Sequence, residues 1–121
     1  MKLKNNPLQN KSYDLALNIV RLSKRIMDKN REYILTKQLL KSGTSIGANI
    51  IEANGAISKA DFSSKISISY KESLETKYWL SLLKDSGYLI ESDFNSLFSD
   101  TDEISKILFS ILKSTRLKND N

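Results

Sequence analysis

The chain has 121 residues and a formal charge of +5, with 19 Lys and Arg against 14 Asp and Glu and a pI near 9.4. It has neither cysteine nor histidine. That excludes disulfides, thiolate zinc sites, cysteine nucleophiles, serine–histidine triads and the Glu-x-x-His di-iron sites of many helical proteins. One proline and four glycines make a poor turn inventory for an all-β fold, so the chain reads as one basic helical domain over residues 1–121.

Four helices follow from the spacing. Asn6 and Pro7 read as an N-cap and a first helical position, opening a helix over 7–29. Its apolar residues are Tyr13, Leu15, Ala16, Leu17, Ile19, Val20, Leu22, Ile26 and Met27, recurring at three and four. The opposite face is Lys11, Asp14, Asn18, Arg21, Arg25 and Asp28. A second helix is predicted over 31–54, with Gly43 and Gly47 inside it. Each glycine costs about 1 kcal/mol relative to alanine in a helix interior. Glycines four apart share a face and let another backbone approach closely, within or between subunits. Asn54-Gly55 is the expected stop, with the glycine free to take positive φ.

A third helix is predicted over 58–86, capped by Ser58 with Asp61 at the positive helix end. Its apolar set is Phe62, Ile66, Tyr70, Leu74, Tyr78, Trp79, Leu82 and Leu83. That stripe is narrow, so some of its many serines must lie against neighbouring helices. A fourth helix is expected over 91–117, capped by Glu91 or Ser92. Short connections make neighbours antiparallel, giving an all-α, up-down-up-down four-helix bundle. Asn5, Asn6, Gln9, Asn10 and Lys11 stand where a signal core would lie, and no apolar window approaches a membrane span. A soluble, cytoplasmic protein that meets no membrane is the expectation.

Charge is placed unevenly. Residues 1–41 carry a net +7, residues 42–90 are neutral and residues 91–121 carry −2. Lys11, Arg21, Lys24, Arg25, Lys29 and Arg31 are the candidates for neutralising nucleic-acid phosphates, with Lys113, Arg116 and Lys118 extending the field from the fourth helix. The competing reading is a solvated helix face. No aromatic face interleaves with these bases, so base-specific readout is not expected.

The stretch Ser42, Gly43, Thr44, Ser45, Gly47, Asn49 and Glu52 is small and polar for a mid-bundle helix. A catalytic reading pairs Glu52 with Glu72 or Glu75 as acid and base, and the same oxygens could hold a hard cation. The alternative, favoured because no nucleophile accompanies the acids, is a hydrogen-bonded network at close helix contacts. No catalytic residue, metal or cofactor is assigned. Tyr78 and Trp79 are neighbours pointing about 100° apart, so one can fill the core while the other covers a different surface; the alternative to core filling is an oligomer interface.

Three stretches carry a family resemblance: KQLLKSGTSIGANIIEANGA over 37–56, SKADF over 58–62, and ESLETKYWL over 72–80 leading to LKDSGY over 83–88. Together they make the chain, over about residues 11–117, resemble the four-helix proteins encoded by intervening sequences within 23S rRNA genes. Lys41 and Lys77 stand where that family usually has arginine, a loss of planar, bidentate donors. Ile51 stands where an acid is common, and Asn54 where glutamine is. The resemblance implies a ring-like homopentamer without enzymatic activity. It also brings in the accessory variability determinant of diversity-generating retroelements, a basic, nucleic-acid-binding partner of a reverse transcriptase. A pentamer of this chain would carry about +25, a field that attracts nucleic acid. Expected partners are therefore other copies of the chain, RNA or DNA, and a protein such as a reverse transcriptase. The rival expectation is a protein-interaction scaffold whose basic face docks an acidic partner.

Overall fold

The computed structural model describes residues 1, 3 and 5–119, with side chains through Thr115. Its elements are α1 (Pro7–Asn30), α2 (Ile34–Asn54), α3 (Lys59–Asp85) and α4 (Glu91–Asn119), with no strand among the described residues. Asn6 caps α1 by accepting the Gln9 N–H, with Pro7 at the first position. Ser58 caps α3 by accepting the Asp61 N–H at 3.0 Å.

Three expectations about helix ends are corrected; the first is that α4 begins at Glu91, with the Phe94 N–H on the Ile90 carbonyl, so neither Glu91 nor Ser92 precedes it as a cap. The second helix starts at Ile34, three residues later than expected. Arg31 closes α1 in the left-handed region, at φ 56°, with its N–H on the Met27 carbonyl. Glu32 then serves the α2 N-terminus from outside it. Its carboxylate accepts the Thr36 N–H at 2.8 Å, the Thr36 hydroxyl at 3.0 Å and the Ile34 N–H at 3.3 Å. Burial pushes this carboxyl up, but those hydrogen bonds outweigh it and hold Glu32 below its ordinary pKa. Gly55 stops α2 at φ −99° and makes no use of positive φ. Gly87, at φ 88°, is the glycine that does, in the turn after α3.

Contacts across each seam run in opposite chain directions. Gly43 and Gly47 of α2 lie against Ile19 and Ser12 of α1. Thr76 of α3 meets Ser42, and Ser69 meets the Ile46 carbonyl. Ser73 of α3 meets Ser105 of α4, and Lys77 meets Asp102. Arg25 of α1 meets Asp93 of α4, and Lys11 meets Glu103. All four neighbouring pairs are thus antiparallel, and α1–α3 and α2–α4 lie across the diagonals. The α2–α3 seam is the most extensive and the α1–α4 seam the sparsest.

The core runs the length of the bundle through Leu15, Ile19, Leu22 and Ile26, Leu39, Ile46 and Ile50, Ile66, Leu80 and Leu83, and Ile104 and Leu108. Each such side chain stabilises by about 1.5–3 kcal/mol. α3 departs from its expected stripe. Ser69, Ser73 and Thr76 are buried, whereas Leu74 and Tyr78 point outward. The buried hydroxyls are small enough to let helices approach, and each is hydrogen-bonded.

Candidate nucleic-acid interface

Helical periodicity sets Arg21, Arg25 and Lys29 in one row along α1, each a turn beyond the last, with Lys24 beside them and Arg31 at the helix end. Arg21, Lys24, Lys29 and Arg31 are exposed and have no ion pair among the described residues. The row borders an open groove at the sparse α1–α4 seam. One depression, of about 620 Å3, is lined by Asn18, Arg21, Lys24, Arg25, Asp93 and Ser96 over Leu22 and Leu97. A second, of about 650 Å3, shares Leu22, Arg25 and Asp93 with the first and continues past Lys29 to Gly87 and Tyr88.

The other charges are engaged or elsewhere. Arg25 reaches Asp93 at 3.5 Å, and Lys11 pairs with Glu103. The acidic last third of the chain therefore neutralises part of the basic first third across one seam. Lys113 does not extend the α1 field. It lines a different groove between α3 and α4, and the Arg116 and Lys118 side chains lie outside the described residues.

That α3–α4 groove, of about 560 Å3, is lined by Ser67, Tyr70, Lys71, Leu74, Phe109, Leu112 and Lys113. The Tyr70 and Phe109 rings are 5.7 Å apart and inclined at 41°. No carboxylate lines it. Sequence reasoning missed this aromatic pair because its halves are far apart in the chain. The α3 and α4 periods do place each ring on an edge, but nothing local says that the two edges meet.

The small, polar stretch of α2 serves packing. A Cβ on Gly43 would sit 2.5 Å from Ile19 Cδ1, and one on Gly47 3.2 Å from Ser12 Oγ. Both glycines therefore bring α1 and α2 of the same chain together. Ser42 reaches across to Thr76 at 3.0 Å, whereas Thr44, Ser45 and Asn49 bond back to carbonyls of α2 itself. Glu52 faces Lys65 at 3.8 Å. The α2–α3 register sets Glu52 about 10 Å or more along the bundle from Glu72, which removes it as an acid–base partner. Burial, with the neighbouring charge of Glu75, holds the Glu72 carboxyl above its ordinary pKa against the pull of Lys41. Among the described residues no group of side chains is arranged to hold a metal ion, and no helix is long and apolar enough to cross a membrane.

Tyr78 and Trp79 divide as neighbours pointing apart should: Trp79 packs against the core cluster, and Tyr78 faces outward. Tyr78 is 59% exposed and sits edge-on to Trp79 with ring centroids 5.0 Å apart. Trp79 is half-buried and donates its indole N–H to Glu75 at 3.0 Å.

The family model of the 23S rRNA-intervening sequence protein matches residues 4–110. The chain belongs to that family. Among solved structures it is similar to a protein of unknown function from the S23 ribosomal protein family of Bacteroides thetaiotaomicron VPI-5482. The two share 45% identity over 88% of this chain and 98% of the other, with a TM-score of 0.86. No curated protein matches.

Lys77 and Lys41, the two lysines singled out by the resemblance, have different surroundings. Lys77 holds Asp102 at 2.7 Å, with its ammonium 5.7 Å from the centre of the Phe98 ring. Lys106 holds the other Asp102 oxygen at 3.0 Å. Hydrogen bonds from Lys77 and Lys106 keep Asp102 below its ordinary pKa. A point charge thus suffices for the α3–α4 pairing. Lys41 acts only through space, on Glu72.

Proposed function

We propose that the protein is a non-enzymatic homo-oligomer that binds nucleic acid through the outer face of α1. The observation that carries this is the set Arg21, Lys24, Lys29 and Arg31, which is exposed and has no ion pair among the described residues; the first three line the groove and Arg31 stands at the helix end. Neutralising phosphates releases counterions, so binding should fall steeply with salt. Repetition around an assembly multiplies modest contacts into avidity. Self-association is supported by the outer face of α3, where Ile68 and Tyr78 are exposed. Both lie on the side of α3 away from its own core. The pentamer implied by the family is the assembly we favour.

Light scattering on the purified protein, expected to give five copies, reads the assembly. Fluorescence anisotropy with generic RNA and duplex DNA, titrated from about 50 to 200 mM salt, reads the binding. Four cations per contact predict a loss of about 50-fold for a single strand and about 150-fold for a duplex over that range. The triple variant Arg21→Gln, Lys24→Gln, Lys29→Gln should flatten the slope. An intact oligomer that binds neither probe at the lower salt would overturn the nucleic-acid reading and favour the acidic-protein partner.

A further inference from the structure

The α3–α4 groove has the composition of a nucleobase platform. Phe109 is 51% exposed and Leu74 42%, although both stand beside the core leucine Leu112. A ring left half in water at the rim of an open groove is accessible to whatever enters. Tyr70 is inclined against it and holds it in place. The charged groups at the groove are two ammonium groups, Lys71 on α3 and Lys113 on α4. Neither has an ion pair among the described residues. The α1–α4 groove differs in charge, since two acids, Asp28 and Asp93, line it, and the floor of its first depression is aliphatic. An occupant of the α3–α4 groove must therefore combine an apolar, flat face with negative charge on both sides.

We infer that this groove seats a base of a single-stranded nucleic acid, stacked on Phe109, with flanking phosphates on Lys71 and Lys113. Stacking on an aromatic side chain is tolerant of base identity, because every base has a π-face. It does require the base to be unpaired, since a duplex keeps its faces buried in its own stack. The two surfaces then divide the work. The α1 row attracts any polyanion, and the α3–α4 groove selects single strands. This division rests on the reading of α1 as a phosphate-binding face.

The test uses the full chain, a short fluorescein-labelled oligothymidylate and a DNA duplex of equal length. Wild type should prefer the single strand. Phe109→Leu keeps apolar bulk but removes the π-face. It should weaken single-strand binding by about tenfold or more and leave duplex binding unchanged. Phe109→Tyr should restore the preference. Lys71→Gln and Lys113→Gln should each lower the single-strand salt slope by about 0.7.

Circular dichroism and solution mass establish that each variant folds and assembles as wild type does. If wild type binds neither probe, the α1 reading falls and this inference with it. If wild type binds both and Phe109→Leu keeps the single-strand preference, this inference alone is overturned. A Phe109→Leu protein that changes its solution mass while binding both probes as before would also overturn it. That result would show the groove to be a contact between copies.

Discussion

The two flanks of α1 are held by different physics. On one flank α1 meets α2 so closely that a single Cβ at Gly43 would collide with Ile19. On the other it meets α4 sparsely, through two ion pairs between partly exposed side chains, and a groove opens between the helices. A close-packed seam has no slack, since interiors are as dense as organic crystals and felt methylenes cost energy. An ion-paired seam leaves side chains in water, where they hold little stability and remain available to a ligand. The comparison teaches that the architecture of this bundle is specified on the α2 side of α1, and that its surface chemistry is free to vary on the α4 side.

The largest expected effect breaks the comparison at its tight flank. Gly43→Leu should cost more than about 3 kcal/mol, because overpacking already costs 1–3 kcal/mol per modest insertion. Denaturant unfolding, or outright failure to fold, reads it. The gentler Gly43→Ala sharpens the cause. Alanine gains about 1 kcal/mol of helix propensity but must displace Ile19 Cδ1. It should therefore be destabilising in wild type and less so beside Ile19→Val, which lacks that atom but keeps the 3.0 Å approach of Cγ2. An equal cost in both backgrounds would sink the argument from close approach.

The α2–α3 seam offers the next test. Thr76→Val removes the hydroxyl that bridges to Ser42 and to the Glu72 carbonyl. It should cost about 1–2 kcal/mol, because Ser42 is left buried without that partner. Thr44→Val removes a hydroxyl that bonds only to carbonyls of its own helix, and should cost less. Equal losses in thermal unfolding would show that crossing a seam confers nothing extra.

Much of this was legible from residue spacing, and the reasons are local. Caps at Asn6 and Ser58 act through backbone groups three residues away, so the sequence displays them. The apolar period of α1 and α4 points at one core. α3 was harder, because its outer face is nearly as apolar as its inner one. Serines and a threonine take core positions while Leu74 and Tyr78 face out. The α2 start was hidden because a glutamate outside the helix, Glu32, does the capping. At the candidate interface the α1 row was readable from period alone. What was not readable was charge consumed at a distance: Lys11 and Arg25 look free until Glu103 and Asp93 arrive from the far end of the chain.

The loose flank predicts a small effect. Lys11→Gln with Glu103→Gln should show a coupling of about 0.2–1 kcal/mol in a double-mutant cycle, because both partners are substantially exposed. That coupling should shrink towards zero near 1 M salt, where screening acts within about 3 Å. The Gly43 and Ile19 coupling should be unmoved by salt. If the two couplings respond alike, the flanks are not held by different physics.

The smallest effect concerns Glu72, on the outer edge of the α2–α3 seam, and it is read as a pH dependence. Burial and the charge of Glu75 hold its carboxyl above the ordinary value, with Lys41 pulling it back. The folded chain therefore binds this proton more tightly than the unfolded chain does. Ionised Glu72 subtracts stability at neutral pH, and the subtraction disappears as pH falls through the folded and then the unfolded value. Glu72→Gln should thus be more stable than wild type at neutral pH and indistinguishable from it well below the ordinary carboxylate range. Glu32 and Asp102 run the other way. Their pKa values are lowered, so what they contribute is present above the unfolded value and lost as pH falls through the folded one. Unfolding profiles of Glu72→Gln and Glu32→Gln should consequently separate from wild type in opposite directions at neutral pH and converge on it in acid. A Glu72→Gln gain that is the same at every pH would mean that the glutamate side chain costs stability by its shape, and that its charge plays no part.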